Sequence, residues 1–316
     1  MSTYEQITSS DNSHYLHHTF FEPTVSDSEP DSVKTVRATL LIVHGMAEHS
    51  GRYASFAQFL ADNGIAVVTY DQLGHGQTIK SPDELGFFGS EHPMQSLLKD
   101  VIIMADSIKS RYPDVPHFIM GHSMGSFIVR TVLKHHAHNF AGAILMGTAD
   151  ANPLIKVLLP INKILAKAAA KKPNSVFSDL MNKLLNSKLA TDSSSEFAWL
   201  SESKANIAAY EADPLAGFVF TNNGFYTLFA LMQAGLDKGW ARTITKDFPM
   251  LFISGKDDPI GNMGRGIRAI DNRLQKQGFA NISTKLYPNM RHEPLHEQDS
   301  NLVYDDILHW IDDLSI

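Results

Sequence analysis

The stretch His117 to His136, HFIMGHSMGSFIVRTVLKHH, decides how the rest of the chain is read. It opens on a short apolar run, His117 to Met120, and closes on a helical pattern from Gly125 to His136. Between them stands Gly121-His122-Ser123-Met124-Gly125, the G-x-S-x-G spacing of a nucleophile elbow. A chain that turns sharply from strand into helix holds the central residue in a strained conformation, and side chains two residues to either side would collide. Both of those positions are glycine. Ser123 is therefore expected to project its Oγ at the C-terminal edge of a sheet, over the first turn of the next helix. The bare pattern arises often by chance; the strand before it and the helix after it give it meaning.

The same texture continues on both sides. Ala38 to Val43 (ATLLIV) and Ala66 to Tyr70 (AVVTY) are continuously apolar, as strands buried on both faces of a parallel sheet are. Gly142 to Met146 and Met250 to Ser254 repeat the pattern, while Ile282 to Tyr287 alternates and belongs near an edge. Helical patterns fall between them, at Tyr53 to Asn63, Met94 to Arg111, Gly264 to Gln277 and Asn301 to Leu314. The alternation predicts an α/β fold, a mostly parallel, doubly wound sheet. At the start, Tyr4 to Ser9 and His14 to Phe20 flank Asp11-Asn12 and predict an antiparallel hairpin at the sheet edge.

One region breaks the alternation. From Asn152 to Trp240 no strand pattern stands out, only helical stretches at Ile155 to Ala170, Val176 to Leu189, Glu202 to Tyr210 and Phe225 to Leu236. The expected organisation is a core of residues 1–150 and 241–316 with a helical cap, 151–240, inserted between two strands. Ligands of open α/β sheets bind beyond the carboxyl ends of the strands, so such a cap would roof the site. Ser193-Ser194-Ser195 reads as a loop.

Composition narrows the class. The 316 residues suit one large domain with an insertion, and 43% apolar against 19% charged residues excludes a disordered chain. A net charge of -7 with no basic block argues against a nucleic-acid partner. The absence of cysteine removes disulfides, thiolate nucleophiles and thiolate metal sites, and fits a reducing compartment. The first twenty residues lack an apolar signal region, and no apolar run reaches the roughly 20 residues of a membrane span. A cytoplasmic location is the expectation.

A serine hydroxyl needs a base, and the base needs an orienting acid. With a nucleophile elbow the partners follow in the order serine, acid, histidine, each in a loop after a late strand. Gly255-Lys256-Asp257-Asp258-Pro259 follows Met250 to Ser254, and Pro288-Asn289-Met290-Arg291-His292 follows Ile282 to Tyr287. His292 is the candidate base. Asp257 and Asp258 stand equally well for the acid on spacing alone, the other being free to cap a turn. Oxyanion donors are expected from the backbone N–H of Met124, next to the nucleophile, and of Met46, after Gly45 in the loop following the first buried strand.

Other residues have a plainer reading. His44, Glu48, His49, Arg52 and Tyr53 are expected to brace their loop and begin a helix, and Asp71 and His75 to brace a turn beneath the site. His292-Glu293-Pro294-Leu295-His296 spells H-E-x-x-H, but Pro294 breaks the helix that zinc ligation by both histidines requires, so no metal is expected. The cap's apolar residues, among them Leu158, Leu159, Ile161, Ile164, Phe218, Phe225 and Phe229, have two readings. They pack the insert on the core, or they form an acyl tunnel or a face that touches membrane.

Taken together, HGMAEHSGRY (44–53), YDQLGHGQT (70–78), GHSMGS (121–126), ISGKDDP (253–259) and MRHEPLHE (290–297) resemble the monoacylglycerol lipase and lysophospholipase branch of the α/β-hydrolases. The resemblance covers roughly residues 35–150 and 245–316; the insert matches in position and character alone. It implies an α/β-hydrolase fold and a serine esterase of single-acyl lipids, with no cofactor and a small acyl ester as partner. In that branch the acid lies three residues after the glycine of the late-strand motif, which selects Asp258; His292, Met46 and Met124 match the base and the oxyanion donors. The doubled aspartate departs from the pattern. Rival functions stay open: an aminopeptidase, which would need Glu202, Glu211 or Asp213 to hold a substrate ammonium, a general small-ester esterase with the same triad, and a non-catalytic binding protein on the same fold.

Overall fold

Seven strands form one sheet in the order β1-β3-β2-β4-β5-β6-β7. In this computed structural model the chain is described over residues 6–23, 35–189 and 195–315. The strands are β1 (His18–Phe21), β2 (Ala38–Val43), β3 (Ile65–Tyr70), β4 (His117–His122), β5 (Gly142–Met146), β6 (Met250–Gly255) and β7 (Ile282–Tyr287). All neighbours pair in parallel except β1 and β3. Strands β2, β3, β5 and β6 are buried along their whole length, which is what their unbroken apolar runs require. The edge strand β7 is largely half-buried.

Helices cover both faces. Helices α1 (Ala54–Asp62) and α9 (Ser300–Leu314) close one core with Leu40, Ile42, Phe118 and Ile144. On the other face lie α2 (Pro93–Arg111), α3 (Met124–His136) and α8 (Arg265–Lys276), packed on Leu41, Val43, Ile119 and Leu145. The register brings the ends of β2, β4, β5 and β6 level, with Val43 beside Gly121, His122 beside Met146 and Met146 beside Ile253. Loops 44–48, 147–150 and 256–262 and the turn at Ser123 therefore emerge along one edge.

Between β5 and β6 the regular elements are helical: α4 (Ile155–Ala169), α5 (Ser175–Asn186), α6 (Lys204–Ala212) and α7 (Asn222–Gly235). Phe225, Leu228, Phe229 and Leu231 of α7 join the core beside α3. The approach is close: a Cβ on Gly235 would lie 2.5 Å from the Phe127 carbonyl oxygen. The outer sides of the first two helices differ. Leu154, Val157, Ile161 and Ile164 at α4, and Val176, Leu180 and Leu184 on α5, are exposed, with Val176 at 74%. Among the described residues no helix is long and apolar enough to cross a membrane.

The N-terminal arms pair as the expected antiparallel hairpin, with the Ser9 N–H donating to His14 O (2.9 Å) and the Leu16 N–H to Ile7 O (2.8 Å). Tyr4 and Glu5 lie outside the described residues, as do Ser193 and Ser194. Thr8 and Tyr15 make a single antiparallel bridge, and the partner of the edge strand is β3, with His18 beside Tyr70. Asp100 of α2 accepts from Ser9 Oγ (2.8 Å) and from the Ser10 N–H (2.7 Å), so the hairpin's first arm is also tied to that helix.

Candidate active site

Ser123 occupies the turn between β4 and α3 with φ 49° and ψ -118°, a left-handed conformation unusual for a residue with a side chain. The turn is held by the Ser123 N–H donating to Met146 O (2.9 Å). A Cβ on Gly121 would lie 2.4 Å from Gly125 O, and one on Gly125 2.1 Å from Val43 O. Both glycines of the motif are thus demanded by backbone contact. Ser123 itself is half-buried, so its hydroxyl has access to the surface.

His292 is buried in the loop after β7, and Asp258 is fully buried in the loop after β6. Asp258 faces the imidazole, with His292 Nδ1 3.2 Å from Oδ1 and 3.1 Å from Oδ2. Ser254 Oγ (2.8 Å) and the Ile260 N–H (2.8 Å) also donate to this carboxylate. Burial pushes the Asp258 carboxyl up, but the histidine and these donors outweigh it and hold it below its ordinary value. His292 Nε2 is buried and has no hydrogen-bond partner among the described residues. Asp257, by contrast, is exposed and lines an open cleft with Glu202 and Asp299. His292 and Ser123 share a neighbourhood: the imidazole lies at Gly147, where a Cβ would be 2.9 Å from Cε1, and Ser123 is bonded to Met146.

The loop after β2 comes to the same place. A Cβ on Gly45 would lie 3.1 Å from Ser123 Cβ, so Met46 follows directly beside the serine. The N–H of Met124 belongs to the first turn of α3, where amides lack an acceptor within the helix. Behind these backbone groups lies a charged cluster. Glu48 Oε1 accepts from the Gly45 N–H (2.6 Å), from Tyr53 OH (2.9 Å) and from His122 Nδ1 (2.9 Å). His122 Nε2 faces His292 O at 3.1 Å. Both ring nitrogens of His122 meet atoms that only accept, so both must donate and the ring is an imidazolium. Burial pulls its pKa down, but the Glu48 carboxylate reverses this and the net shift is upward. Arg52 bridges Glu48 (2.9 Å) and Glu293 (2.7 Å). Burial opposes ionisation of Glu293, yet Arg52 draws it down to about 2.

This geometry meets known proteins at one point. The family described as serine aminopeptidase, S33 (Hydrolase_4) matches residues 34–299. The chain belongs to that family. Its relatives include monoacylglycerol lipases. It is 26% identical to the monoacylglycerol lipase of Mycolicibacterium smegmatis, over 87% of this chain and 88% of that one. It is 26% identical to the monoglyceride lipase of Mus musculus, over 84% and 82%. A thermostable carboxyl esterase from Bacillus coagulans superposes with a TM-score of 0.89 at 26% identity, covering 99% and 98% of the two chains.

Several side chains of this S33 hydrolase do what their plainer reading anticipates. His44 Nε2 accepts from the Gln72 N–H (3.0 Å), and Asp71 accepts from the Ser50 and Gln77 N–H groups (both 2.7 Å). His75 Nε2 accepts from the Ala47 N–H (3.3 Å), and its ring lies within 5.4 Å, centroid to centroid, of Phe88, Phe218 and Phe220. The H-E-x-x-H stretch forms one 3-10 turn, Pro294–His296, so no continuous helix carries both histidines. Glu202 pairs with Arg291 (2.7 Å), Asp213 with His49 (2.8 Å), and Glu211 accepts from Ser195 Oγ (2.6 Å).

The sequence pointed poorly to two groups of this hydrolase. The Glu48–His122 pair spans 74 positions, and nothing in either motif names the other as its partner. Trp199 of the insert lies against His292, with ring centroids 5.2 Å apart. No spacing rule connects an insert to a loop that far along the chain.

Proposed function

We propose that the chain hydrolyses carboxylic esters of single-acyl lipids, monoacylglycerols or lysophospholipids, through an acyl-enzyme on Ser123. The reading is carried by one observation: an imidazole fixed at Nδ1 by a buried carboxylate while its Nε2 has no partner among the described residues, beside a serine held at a strained turn. His292 Nε2 takes the proton of Ser123 Oγ as the oxygen attacks the ester carbonyl. The Met46 and Met124 N–H groups stabilise the oxyanion. Asp258 compensates the charge on His292, which then protonates the leaving alcohol. Water enters, His292 takes its proton, and the acid is released with the serine restored.

Substrate class follows from what lies beside the oxyanion loop. The ring cluster around His75, joined to Ala47, makes an apolar wall next to Met46. Residues 151–240 form the cap over the site in our reading, and the exposed apolar side chains of α4 and α5 give it a face for transient contact with a lipid surface. The aminopeptidase reading is less well supported, because the carboxylates it needs already have guanidinium, imidazole or hydroxyl partners.

The test compares monoacylglycerols, lysophospholipids, short p-nitrophenyl esters and aminoacyl anilides as substrates. Ester hydrolysis should dominate and should survive a chelator. Ser123→Ala should lower kcat by on the order of 10⁴-fold to 10⁶-fold, as loss of a nucleophile does elsewhere. Near-normal ester hydrolysis by that variant, or a preference for anilides, ends the proposal.

A further inference from the structure

The 3-10 turn Ala198–Leu200 of the insert is fastened to the loop that carries His292. Leu200 O accepts from the Glu293 N–H (3.0 Å), and Arg291 Nη1 donates to Ala198 O (2.6 Å). Glu297 answers from the loop's far end, accepting from Ser201 Oγ (2.8 Å), the Glu202 N–H (3.0 Å) and the Arg291 N–H (2.8 Å). This clasp sets the Trp199 indole beside the His292 imidazole, with the ring planes at 47°.

The indole is held from its other end by α5. Asn182 Oδ1 accepts from Trp199 Nε1–H (3.1 Å), and Asn186 Oδ1 accepts from the Trp199 N–H (3.0 Å). Just beyond α5, Lys188 Nζ donates to Pro259 O (3.1 Å), next to Asp258. One stretch of the insert therefore touches the loops of both the imidazole and its carboxylate.

We propose that Trp199 is a positioning residue for His292, through which the seating of α5 sets the ring that receives the serine proton. The inference rests on the triad reading given above. Asp258 holds Nδ1 almost equally from two oxygens, which fixes one end of the imidazole and leaves its tilt to the groups packed on it. Those are His122, at 4.9 Å between ring centroids, and Trp199. The charged groups facing His292 are Asp258 and the His122 imidazolium, with Glu48 behind the latter; Glu293 turns away to Arg52. When His292 gains its proton, the indole lies beside a cation and favours it electrostatically.

The experiment uses full-length protein with Trp199→Leu, Trp199→Phe and Asn182→Leu, each checked for a cooperative thermal transition. Trp199→Leu should lower kcat between about 10-fold and about 100-fold with KM little changed, the scale on which an ångström of misplacement acts, while Trp199→Phe stays within about threefold. Asn182→Leu, which frees the indole N–H, should fall between them. Labelling of Ser123 by a fluorophosphonate should slow in parallel. The indole should also report the imidazole: the emission that distinguishes wild type from Trp199→Phe should be quenched on acidification, with the midpoint of the acid limb of kcat/KM. Trp240 and Trp310 emit in both proteins and cancel. A folded Trp199→Leu with wild-type kcat and labelling overturns the proposal, as do equal losses in Leu and Phe variants, or emission that does not titrate with activity. A wild-type protein that neither hydrolyses esters nor takes the label instead sinks the triad reading, and this inference with it.

Discussion

At the scale of single residues, the imidazolium of His122 joins the strand before Ser123 to the loop of His292, and Glu48 is its counter-charge. Burial raises the cost of ionising Glu48, but His122 and Arg52 hold it well below the usual carboxylate range. Glu48→Gln removes that charge while keeping the shape. Breaking a buried pair in this way should cost about 3–5 kcal/mol, measured by denaturant or thermal unfolding. His122 should then lose its second proton near neutral pH, visible in its ring nitrogen shifts; a His122 still doubly protonated in the variant would contradict the assignment. The sign of the pH dependence follows from the same groups. Glu48, Glu293 and Asp258 have depressed folded values, so their contribution is complete above the ordinary carboxylate range and is lost as pH falls through the folded values. His296 acts earlier: burial lowers it to about 4, so the unfolded chain takes up that proton first, from about pH 6.5 downward. Stability should decline by about 1.4 kcal/mol per pH unit for that proton, and His296→Phe should make this limb shallower, with His44 and His75, also lowered by burial, contributing to what remains. His122 contributes in the opposite sense, fully below its ordinary value and less as pH rises through its raised one. Much of this was beyond the sequence. Ser123 and His292 stand out because an elbow and a late loop have local signatures, whereas Asp257 and Asp258 share every local signature. They differ in which one the turn points inward, and only the fold decides that.

At the scale of elements, the end of β2 and the start of α3 come closer than any side chain allows. A Cβ on Gly125 would meet Val43 O at 2.1 Å and His44 O at 2.5 Å, backbone atoms that cannot swing aside. Gly125→Ala should therefore push the loop of Met46 away from Ser123. Overpacking of this kind costs about 1–3 kcal/mol. The useful comparison is Gly142→Ala at the opposite end of the sheet, where the added methyl meets the Trp310 ring at 2.8 Å. Both variants should lose thermal stability, but Gly125→Ala alone should lose most of its fluorophosphonate labelling; equal labelling in the two would mean that this crossing does not shape the site. The strands and most helices were legible because hydrophobic period is a local property: β2, β5 and β7 begin and end where their apolar or alternating runs do. The N-terminal hairpin was legible for the same reason, but its anchorage on the buried Asp100 was not, since alternation does not say which helix captures an arm. The two-way reading of the insert resolves into parts. Phe220 and Phe225 are fully buried, while Ile161 and Ile164 face outward, a division that helical spacing suggests only once the direction of the core is known.

Across the whole molecule, charge is divided unevenly. The chain carries a net -7, yet residues 151–189 hold seven lysines and one acidic residue, Asp179. The same segment bears the exposed apolar side chains of α4 and α5, with Ile164 at 69% exposure. A basic helix pair with an apolar outer side is suited to the surface of an anionic bilayer: each lysine near such a surface contributes about 1 kcal/mol, and each fully buried aliphatic side chain about 1.5–3 kcal/mol. Co-sedimentation with vesicles should therefore be stronger for anionic than for zwitterionic lipid. It should weaken as salt rises from about 0.01 M to about 1 M, over which the screening length falls from about 30 Å to about 3 Å. Substituting Val157 and Ile164 together by glutamate removes apolar contact and adds repulsion, so sedimentation should drop by at least about tenfold. Hydrolysis of a short water-soluble ester should continue, because neither side chain lies beside Ser123, His292 or the oxyanion loop. Salt-independent binding, or a double variant that sediments like wild type, would place lipid contact elsewhere and make the basic apolar face an accident of composition. The result expected instead ties three scales together: a surface read by α4 and α5, an indole held by α5, and an imidazole that leans on that indole.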